Sequence, residues 1–353
     1  MKTDTSKDET SNFEYVTTRV RVRKSKLFDD EDYRKLVRMQ PNEIARFMEE
    51  TEYSEEIDKL GSRHSGVDLI EYALHMNMAK HFRDIVRWSK GDLRHLTLNY
   101  LRRFDAFNIK TVLRGIQAEV DKEEVMNDLV PAGEFDEEFL EYLADSESVE
   151  QVLDRLKGTV FDRGLEEALR EYEDEGVLSS IETTIDHTYY EQLTTKEDVE
   201  EMSPRGIYQS FLRSEIDIKN VRNALRAIDS EHVEVDDYFI EGGAWFKDKE
   251  TLVSWTENAD ELISALRESE YGNILEDAID DLEESDSLVE FDKALDKLLI
   301  DYSQRMTNQY PLSIAPVISY ILNKRREVAN IRGIARGRES GLTTEEIEEE
   351  VVI

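Results

Sequence analysis

Three stretches of the chain carry an acid, an amide and two basic residues at one fixed spacing. The acids are Asp105, Asp217 and Glu327, and they lie 112 and 110 residues apart. Carboxylates that meet in pairs can perform general acid–base chemistry. The same arrangement in three copies favours a structural role instead, because catalytic sites are seldom triplicated within one chain.

The full signature places Asn three residues after the acid, Ile or Val four after it, Lys or Arg five after it and Arg nine after it. Its members are Asp105, Asn108, Ile109, Lys110 and Arg114 in the first copy, Asp217, Asn220, Val221, Arg222 and Arg226 in the second, and Glu327, Asn330, Ile331, Arg332 and Arg336 in the third. On a helix the acid borders an apolar stripe, where an unpaired carboxylate would be costly. We therefore expect each acid to be buried as a structural joint, completed by its Asn and by a donor from a neighbouring helix.

The two basic residues of each copy lie on a different helix face from the acid. They stand out because Asp and Glu outnumber Lys and Arg by 81 to 45, for a net charge of −36. Two interpretations remain open: ion pairs within a helix or between domains, and contacts with a partner on one shared surface. The residues concerned are Lys110 and Arg114, Arg222 and Arg226, and Arg332 and Arg336.

Other residue types that could carry chemistry are absent or unsuitably spaced. The chain has no cysteine, and its six histidines, at positions 64, 75, 81, 95, 187 and 232, show no metal-ligand spacing. The sequence contains neither a Gly-x-x-x-x-Gly-Lys-Ser/Thr phosphate loop nor a Gly-x-Gly-x-x-Gly fingerprint. We expect no catalytic residue, no cofactor and no metal site.

The acidic excess is spread along the whole chain, a pattern that we interpret as adaptation to concentrated salt. Such a surface repels phosphate backbones and anionic membranes, so we expect no nucleic-acid partner. The best apolar run, residues 310–322, is shorter than the roughly 20 residues of a transmembrane helix. We therefore expect no direct membrane insertion, and the polar start of the chain predicts neither a signal peptide nor an anchor.

Residues typical of helix starts and helix ends flank each signature at nearly constant distances from its acid. A capping residue precedes each acid by 13 or 14 positions, at Asp92, Ser203 and Ser313. Gly115 and Gly337 follow their acids by ten positions, where a glycine can end a helix. An Ile-Glu or Val-Glu pair, 34 to 37 residues before each acid, marks the start of another long helix. The pattern predicts an all-α fold of three similar helical domains.

We place the boundaries of these domains in short polar stretches. The prediction is an acidic disordered tail over 1–14, repeat 1 over 15–120, repeat 2 over 121–232, and repeat 3 over 233–353 with an acidic C-terminal tail. Residues 233–239 could form a short extended link between repeats 2 and 3.

Both ends of the chain and the threefold signature resemble one known family, the C subunits of the archaeal A-type (V/A-type) ATP synthases, which are related to the d subunits of the V-type ATPases. The resemblance extends from Glu14 to the carboxyl terminus, and the acidic composition points to a haloarchaeal member. The segments that carry it most clearly are residues 14–21, 105–115, 310–321 and 327–334.

This resemblance implies a pseudo-threefold, funnel-like arrangement of the three domains and a role without catalysis. It implies a central-stalk (rotor) subunit that links the membrane proteolipid ring to the shaft subunits D and F and transmits torque for proton- or sodium-coupled ATP synthesis. It also implies a peripheral location on the cytoplasmic face of the cell membrane. A helical-repeat scaffold for unrelated partner proteins is the alternative, and an enzyme built on the triplicated acids is a third interpretation.

Overall fold

A computed structural model gives the fold of the protein. It describes residues 10–194, 200–229, 238–245, 249–256, 259–269, 271–285 and 288–351. These residues form helices joined by turns and loops, and no strand occurs among them, so the predicted all-α class is confirmed. Most of the predicted tail at 1–14 and of the predicted link at 233–239 lies outside the described residues.

The described helices are numbered in chain order. The first ten are α1 (Phe13–Lys24), α2 (Asp30–Leu36), α3 (Pro41–Met48), α4 (Ser54–Leu60), α5 (Gly66–Trp88), α6 (Gly91–Leu101), α7 (Arg103–Gln117), α8 (Lys122–Asp128), α9 (Glu137–Ala144) and α10 (Val149–Arg155). The others are α11 (Leu165–Glu175), α12 (Ser179–Leu193), α13 (Pro204–Asp229), α14 (Lys249–Thr256), α15 (Ala259–Glu268), α16 (Gly272–Ser285), α17 (Leu288–Gln309), α18 (Ala315–Glu339) and α19 (Thr344–Glu350).

The protein separates into two compact units. The first contains the described residues up to Asp162 and from Pro316 onward, and the second contains those from Arg163 to Ala315. These limits differ from the predicted repeat boundaries, because α7 packs against α8, α9 and α10 of the following repeat and α13 packs against α14. The division into three repeats stays a prediction, as does their pseudo-threefold arrangement.

Each unit has its own apolar core. In the first, α5 buries Ile70, Leu74 and Phe82 completely, and in the second, α13 buries Leu212 and Ile216 completely. Burial of one such side chain contributes roughly 1.5–3 kcal/mol. These cores fix the helices that carry the signature acids.

The acids lie on α7, α13 and α18, which we call the signature helices. The prediction of one long helix per copy is confirmed for α13, with 26 residues, and for α18, with 25. It is wrong for the first copy, which is interrupted at Arg102 between α6 and α7. No proline or glycine marks this break; the Nε of Arg102 binds Glu134 of the next repeat at 2.8 Å.

Two of the three predicted helix caps are confirmed. The hydroxyl of Ser203 accepts a hydrogen bond from the backbone of Gly206 at 3.0 Å, and that of Ser313 accepts one from Ala315 at 3.1 Å. Asp92 is not a cap, because α6 already begins at Gly91. It lies in the first turn, where a carboxylate still interacts favourably with the helix dipole.

The two glycines predicted to end helices serve a different purpose. Gly115 and Gly337 each lie two residues before the end of α7 and α18. A Cβ atom at these positions would overlap Val125 of α8 and Ile347 of α19, respectively. Glycine is therefore required here for the close approach of the short helix that follows.

The second long helix predicted for each repeat is also present. The Ile-Glu pair of the first copy lies in the second turn of α5, and the pairs of the other two copies lie in the first turns of α12 and α17. These helices contain 23, 15 and 22 residues, respectively. This prediction is confirmed. The glutamate of the first pair takes part in the ion pairs described below.

Candidate functional site

The first of three carboxylate clusters surrounds Asp105 on α7. Its side chain is 1% exposed and accepts hydrogen bonds from the backbone N–H groups of Glu134 and Phe135, at 2.8 and 3.0 Å. Asn108, one turn further along α7, both donates to the carbonyl and accepts from the N–H of Val130, each at 2.8 Å. Side chains of one repeat thus bind the backbone of the segment that leads into α9 of the next.

The second cluster repeats this geometry around Asp217 on α13. The fully buried carboxylate accepts from the N–H of Ala244 at 3.0 Å and of Trp245 at 3.1 Å. Asn220 binds both backbone groups of Ile240 at 2.9 Å. The three contacted backbone positions lie 110 residues after their counterparts in the first cluster, so the match is position by position.

A glycine makes each of these two approaches possible. Gly133 and Gly243 lie against the carboxylates of Asp105 and Asp217, and a Cβ atom at either position would overlap carboxylate oxygens. Because a side chain cannot be accommodated there, the backbone reaches the acid directly.

The third cluster surrounds Glu327 on α18, which is 2% exposed. Its carboxylate accepts from the N–H of Phe28 and from the hydroxyl of Tyr53, both at 2.6 Å. The ammonium group of Lys324, which is 1% exposed, donates to Glu327 at 2.9 Å and to Tyr53 at 2.8 Å. This cluster therefore contains a buried ion pair in addition to the neutral donors.

Asn330 completes the third cluster in a different way from its counterparts. It is buried and forms a side-chain hydrogen bond with Tyr33 of α2. The segment before α2 carries Lys26 where the other clusters carry glycine. The acid of this cluster is a glutamate, whose side chain is one methylene longer than those of Asp105 and Asp217.

An aromatic pair lies beside each acid. The residue whose N–H binds the carboxylate has its ring about 6 Å from a second ring, at interplanar angles of 65 to 85°. Edge-to-face contacts of this kind add roughly 0.5–1.5 kcal/mol beyond the area they bury. The pairs are Phe28 with Tyr53, Phe135 with Phe161, and Trp245 with Tyr271.

Burial shifts the pKa values of two ionisable groups in these clusters. It raises the pKa of Asp105 to about 7, although the two backbone N–H groups favour the carboxylate form. Burial likewise lowers the pKa of Lys324, and the adjacent Glu327 opposes that change. Both groups are held in place by hydrogen bonds, which suits a structural contact between repeats.

The prediction that the three acids are buried and bind donors outside their own helix is confirmed. The expected donor was a neighbouring helix, whereas the principal donors are backbone N–H groups of loops that precede the next helices. That these clusters act as the joints on which the protein's function depends stays a prediction.

Some of the basic residues form ion pairs within the protein. Arg222 binds Asp292 at 2.7 Å and Asp296 at 2.8 Å, both on α17. Arg332 binds Glu71 of α5 at 2.9 Å, and Arg336 binds the same carboxylate with two of its nitrogens. For these three residues the contacts are between predicted repeats.

Other basic residues of the signature are described only in part. Lys110 is half-buried and Arg114 is exposed. The side chain of Arg226 lies outside the described part of the structure. Both interpretations of these residues remain predictions.

Sequence reasoning missed the glycines at 133 and 243, the aromatic pairs and the buried Lys324. Tyr53 and Tyr271 end two segments that resemble each other in sequence, residues 43–53 and 261–271. The signal that could have found the two glycines and two of the aromatic residues is a spacing of 110 residues. It separates Gly133 from Gly243 and Phe135 from Trp245. It lies in loops, where no helical periodicity draws attention to it.

Two of the histidines contact tyrosine side chains. His81 is buried, and its Nδ1 lies 2.6 Å from the hydroxyl of Tyr320. Burial, followed by the charge of Lys324, lowers its pKa to about 2, so the ring stays neutral. His64 contacts the ring of Tyr72 edge-on at 4.6 Å.

A metal centre and a membrane span are both absent from the described residues. No three His, Asp or Glu side chains in this part of the chain are grouped so as to hold a metal ion. Within the same residues, every helix is too short or too polar to span a membrane.

Comparison with known proteins gives one consistent result. Residues 16–350 match the sequence model of the family described as ATP synthase (C/AC39) subunit. The chain is 52% identical to the C subunit of the A-type ATP synthase of Haloferax volcanii over 344 residues, which cover 97% of this chain and 98% of the relative. It is 50% identical to that of Haloquadratum walsbyi over 343 residues, covering 96% and 98%.

A more distant relative shows the same extent of similarity. The C subunit of the A-type ATP synthase of Methanosarcina mazei is 32% identical over 356 residues, covering 100% of this chain and 96% of the relative. The similarity is therefore not confined to one segment of the chain. The chain belongs to the ATP synthase (C/AC39) subunit family.

Proposed function

We propose that this protein is a non-catalytic central-stalk subunit of an A-type ATP synthase. It links the membrane proteolipid ring to the shaft subunits D and F and transmits torque between ion flow and ATP synthesis. In this role it lies peripherally on the cytoplasmic face of the cell membrane. The observation that carries the proposal is the match to the family and to its named A-type members over nearly the whole chain.

The carboxylate clusters support a mechanical role. In each one, a signature helix binds a segment near the start of another predicted repeat through buried hydrogen bonds to main-chain groups. Main-chain donors at fixed positions give a contact with little freedom to slide, because the partners cannot change rotamer. A part that transmits torque needs contacts of this kind between its segments.

The proposal is tested by co-purification from cells. An affinity-tagged chain should retain the proteolipid and the subunits D and F through washing at molar potassium chloride. A second tagged chain carries Gly243→Ala. We expect this variant to fold less stably and to retain fewer of these subunits. Recovery of unrelated proteins without these subunits would instead support the helical-repeat scaffold.

A further inference from the structure

Helix α1 is basic although the protein as a whole is acidic. Residues 19–26, in α1 and the turn after it, include five basic residues and no acidic one. Over the whole chain, Asp and Glu outnumber Lys and Arg by 81 to 45. In such a protein, a basic segment at the surface is a place where electrostatics favour the binding of an acidic partner.

One face of α1 is buried and another is exposed. The helix packs against α5 and buries Val16 completely. Tyr15, Arg19 and Val22 are spaced by four and three residues, so they share the exposed face, where Tyr15 is 49% and Val22 is 56% exposed. Together with Trp88 at the end of α5, which is half-buried, these three residues form what we call the α1 patch.

Two aromatic rings hold the side chain of Arg19. Its guanidinium carbon lies 4.6 Å from the centre of the Tyr15 ring and 4.9 Å from the centre of the Trp88 ring. Trp88 is itself fixed, because the side chain of Asn12 donates to its carbonyl at 2.8 Å and the guanidinium of Arg23 lies 4.4 Å from the centre of its ring. These contacts restrict Arg19 before any partner binds, which lowers the entropy cost of binding.

The guanidinium of Arg19 has no acidic partner among the described residues. Asp84 of α5 binds two other arginines, Arg23 at 2.5 Å and Arg87 at 2.6 Å. Within the described part of the chain, the contacts of the Arg19 side chain are those with the two rings, and it makes no ion pair and no hydrogen bond. Its N–H groups are therefore available to an acceptor that comes from outside.

The chemistry of the α1 patch matches the centre of a protein–protein interface. Tyr, Trp and Arg are enriched there and contribute most of the binding energy. The planar fork of a guanidinium matches the two oxygens of a carboxylate. Because this contact is made at about 2.8 Å, within the screening length of about 3 Å at 1 M salt, it persists in concentrated salt.

We propose that the α1 patch is a docking surface for an acidic segment of a neighbouring protein subunit. A carboxylate of that segment binds the guanidinium of Arg19 through two hydrogen bonds, and an apolar side chain beside it packs on Tyr15 and Val22. The inference rests on the proposed function in one respect, namely that the chain works within an assembly of subunits.

Carbodiimide cross-linking of the intact assembly tests the contact. In the variant Arg19→Lys a primary amine replaces the guanidinium, and a water-soluble carbodiimide couples an amine to a carboxylate that touches it. We expect mass spectrometry to find position 19 joined to an Asp or Glu of another subunit. The control is Arg46→Lys, at an exposed position of α3 outside the patch, which should give no such link. Equal yields at the two positions, no link from position 19, or a link within the same chain would each overturn the proposal.

Two further variants measure what the contact contributes. Arg19→Gln should dissociate from the assembly about tenfold faster during washing in molar potassium chloride, and Tyr15→Leu about threefold faster. Arg46→Gln removes the same charge outside the patch and should leave the rate unchanged. Because the side chain of Arg19 makes no hydrogen bond among the described residues, Arg19→Gln should melt at nearly the temperature of the natural chain. An unchanged dissociation rate for Arg19→Gln would contradict the proposal.

A membrane surface is the competing occupant, and vesicles distinguish it. We expect the isolated chain not to float with phosphatidylglycerol vesicles in molar potassium chloride, since its net charge of −36 opposes binding. Flotation that Arg19→Gln abolishes would assign the patch to lipid and overturn the proposal. A natural chain that retains no other subunit would contradict both the proposed function and this inference. An intact assembly without a link from position 19 would contradict this inference alone.

Discussion

The carboxylate of Asp217 accepts a hydrogen bond from the backbone N–H of Trp245 at 3.1 Å, although 28 residues separate them in the chain. The same relationship joins Asp105 to Phe135 at 3.0 Å and Glu327 to Phe28 at 2.6 Å. The three contacts join the predicted repeats in turn: the first to the second, the second to the third, and the third to the first. The shared element of each contact is a buried acid that binds the main-chain N–H of an aromatic residue.

Removal of the carboxylate in the second cluster should destabilise the second unit. Asp217→Ala leaves the N–H groups of Ala244 and Trp245 without their acceptor, at a cost of about 3 kcal/mol in the free energy of unfolding. Chemical denaturation at high salt measures this loss. Asp301→Ala, at an exposed aspartate of α17 in the same unit, is the control. Equal stability of the two variants would show that the cluster contributes nothing.

The glycines beside the acids give a steric test of the same contacts. Gly133→Ala and Gly243→Ala place a methyl group on the carboxylate oxygens, which should cost about 3 kcal/mol by displacing the loop from the acid. Gly333→Ala, on α18 with open space around it, should instead stabilise by about 0.5–1 kcal/mol. Chemical denaturation of the three variants measures these changes in the free energy of unfolding. A stabilising effect at position 133 or 243 would contradict the close approach of loop and acid.

The third cluster should behave differently because it contains a buried ion pair. Lys324→Met leaves Glu327 charged and buried, and we expect a loss of about 3 kcal/mol. The double variant Lys324→Met with Glu327→Gln removes both charges and should recover much of that loss. A double-mutant cycle measures the coupling between the two residues. Additive losses would mean that the ammonium and the carboxylate do not stabilise each other.

Acid should destabilise the protein through His81. Its pKa in the folded state, about 2, lies below the ordinary value of 6.5. Because the unfolded chain binds a proton below pH 6.5 and the folded chain does not, stability falls as the pH falls, by about 2 kcal/mol at pH 5. His81→Gln should remove this part of the pH dependence, whereas His95→Gln, at an exposed position, should retain it. Identical pH profiles for the two variants would contradict the assignment.

The sequence predicted the helical class and the burial of Asp105, Asp217 and Glu327 because both follow from local periodicity. An acid beside an apolar stripe has to be buried with its donors, whatever those donors are. The donors themselves could not be predicted in this way, since Phe135 and Trp245 lie in loops without a helical period. The two helix ends predicted at glycines were wrong for a related reason: close approach of a second helix and a helix end both favour glycine, and sequence alone does not distinguish them.

The most direct test of the central claim, that this chain couples ion flow to nucleotide chemistry without performing either, is a reconstitution. The A-type ATP synthase is assembled in vesicles with the chain present, absent or carrying Asp217→Ala. ATP hydrolysis and ATP-driven ion uptake are then measured on the same vesicles. We expect hydrolysis to persist in all three preparations, and ion uptake to be lost without the chain and reduced with the variant. Full ion uptake in its absence would contradict the claim, as would hydrolysis that requires the chain.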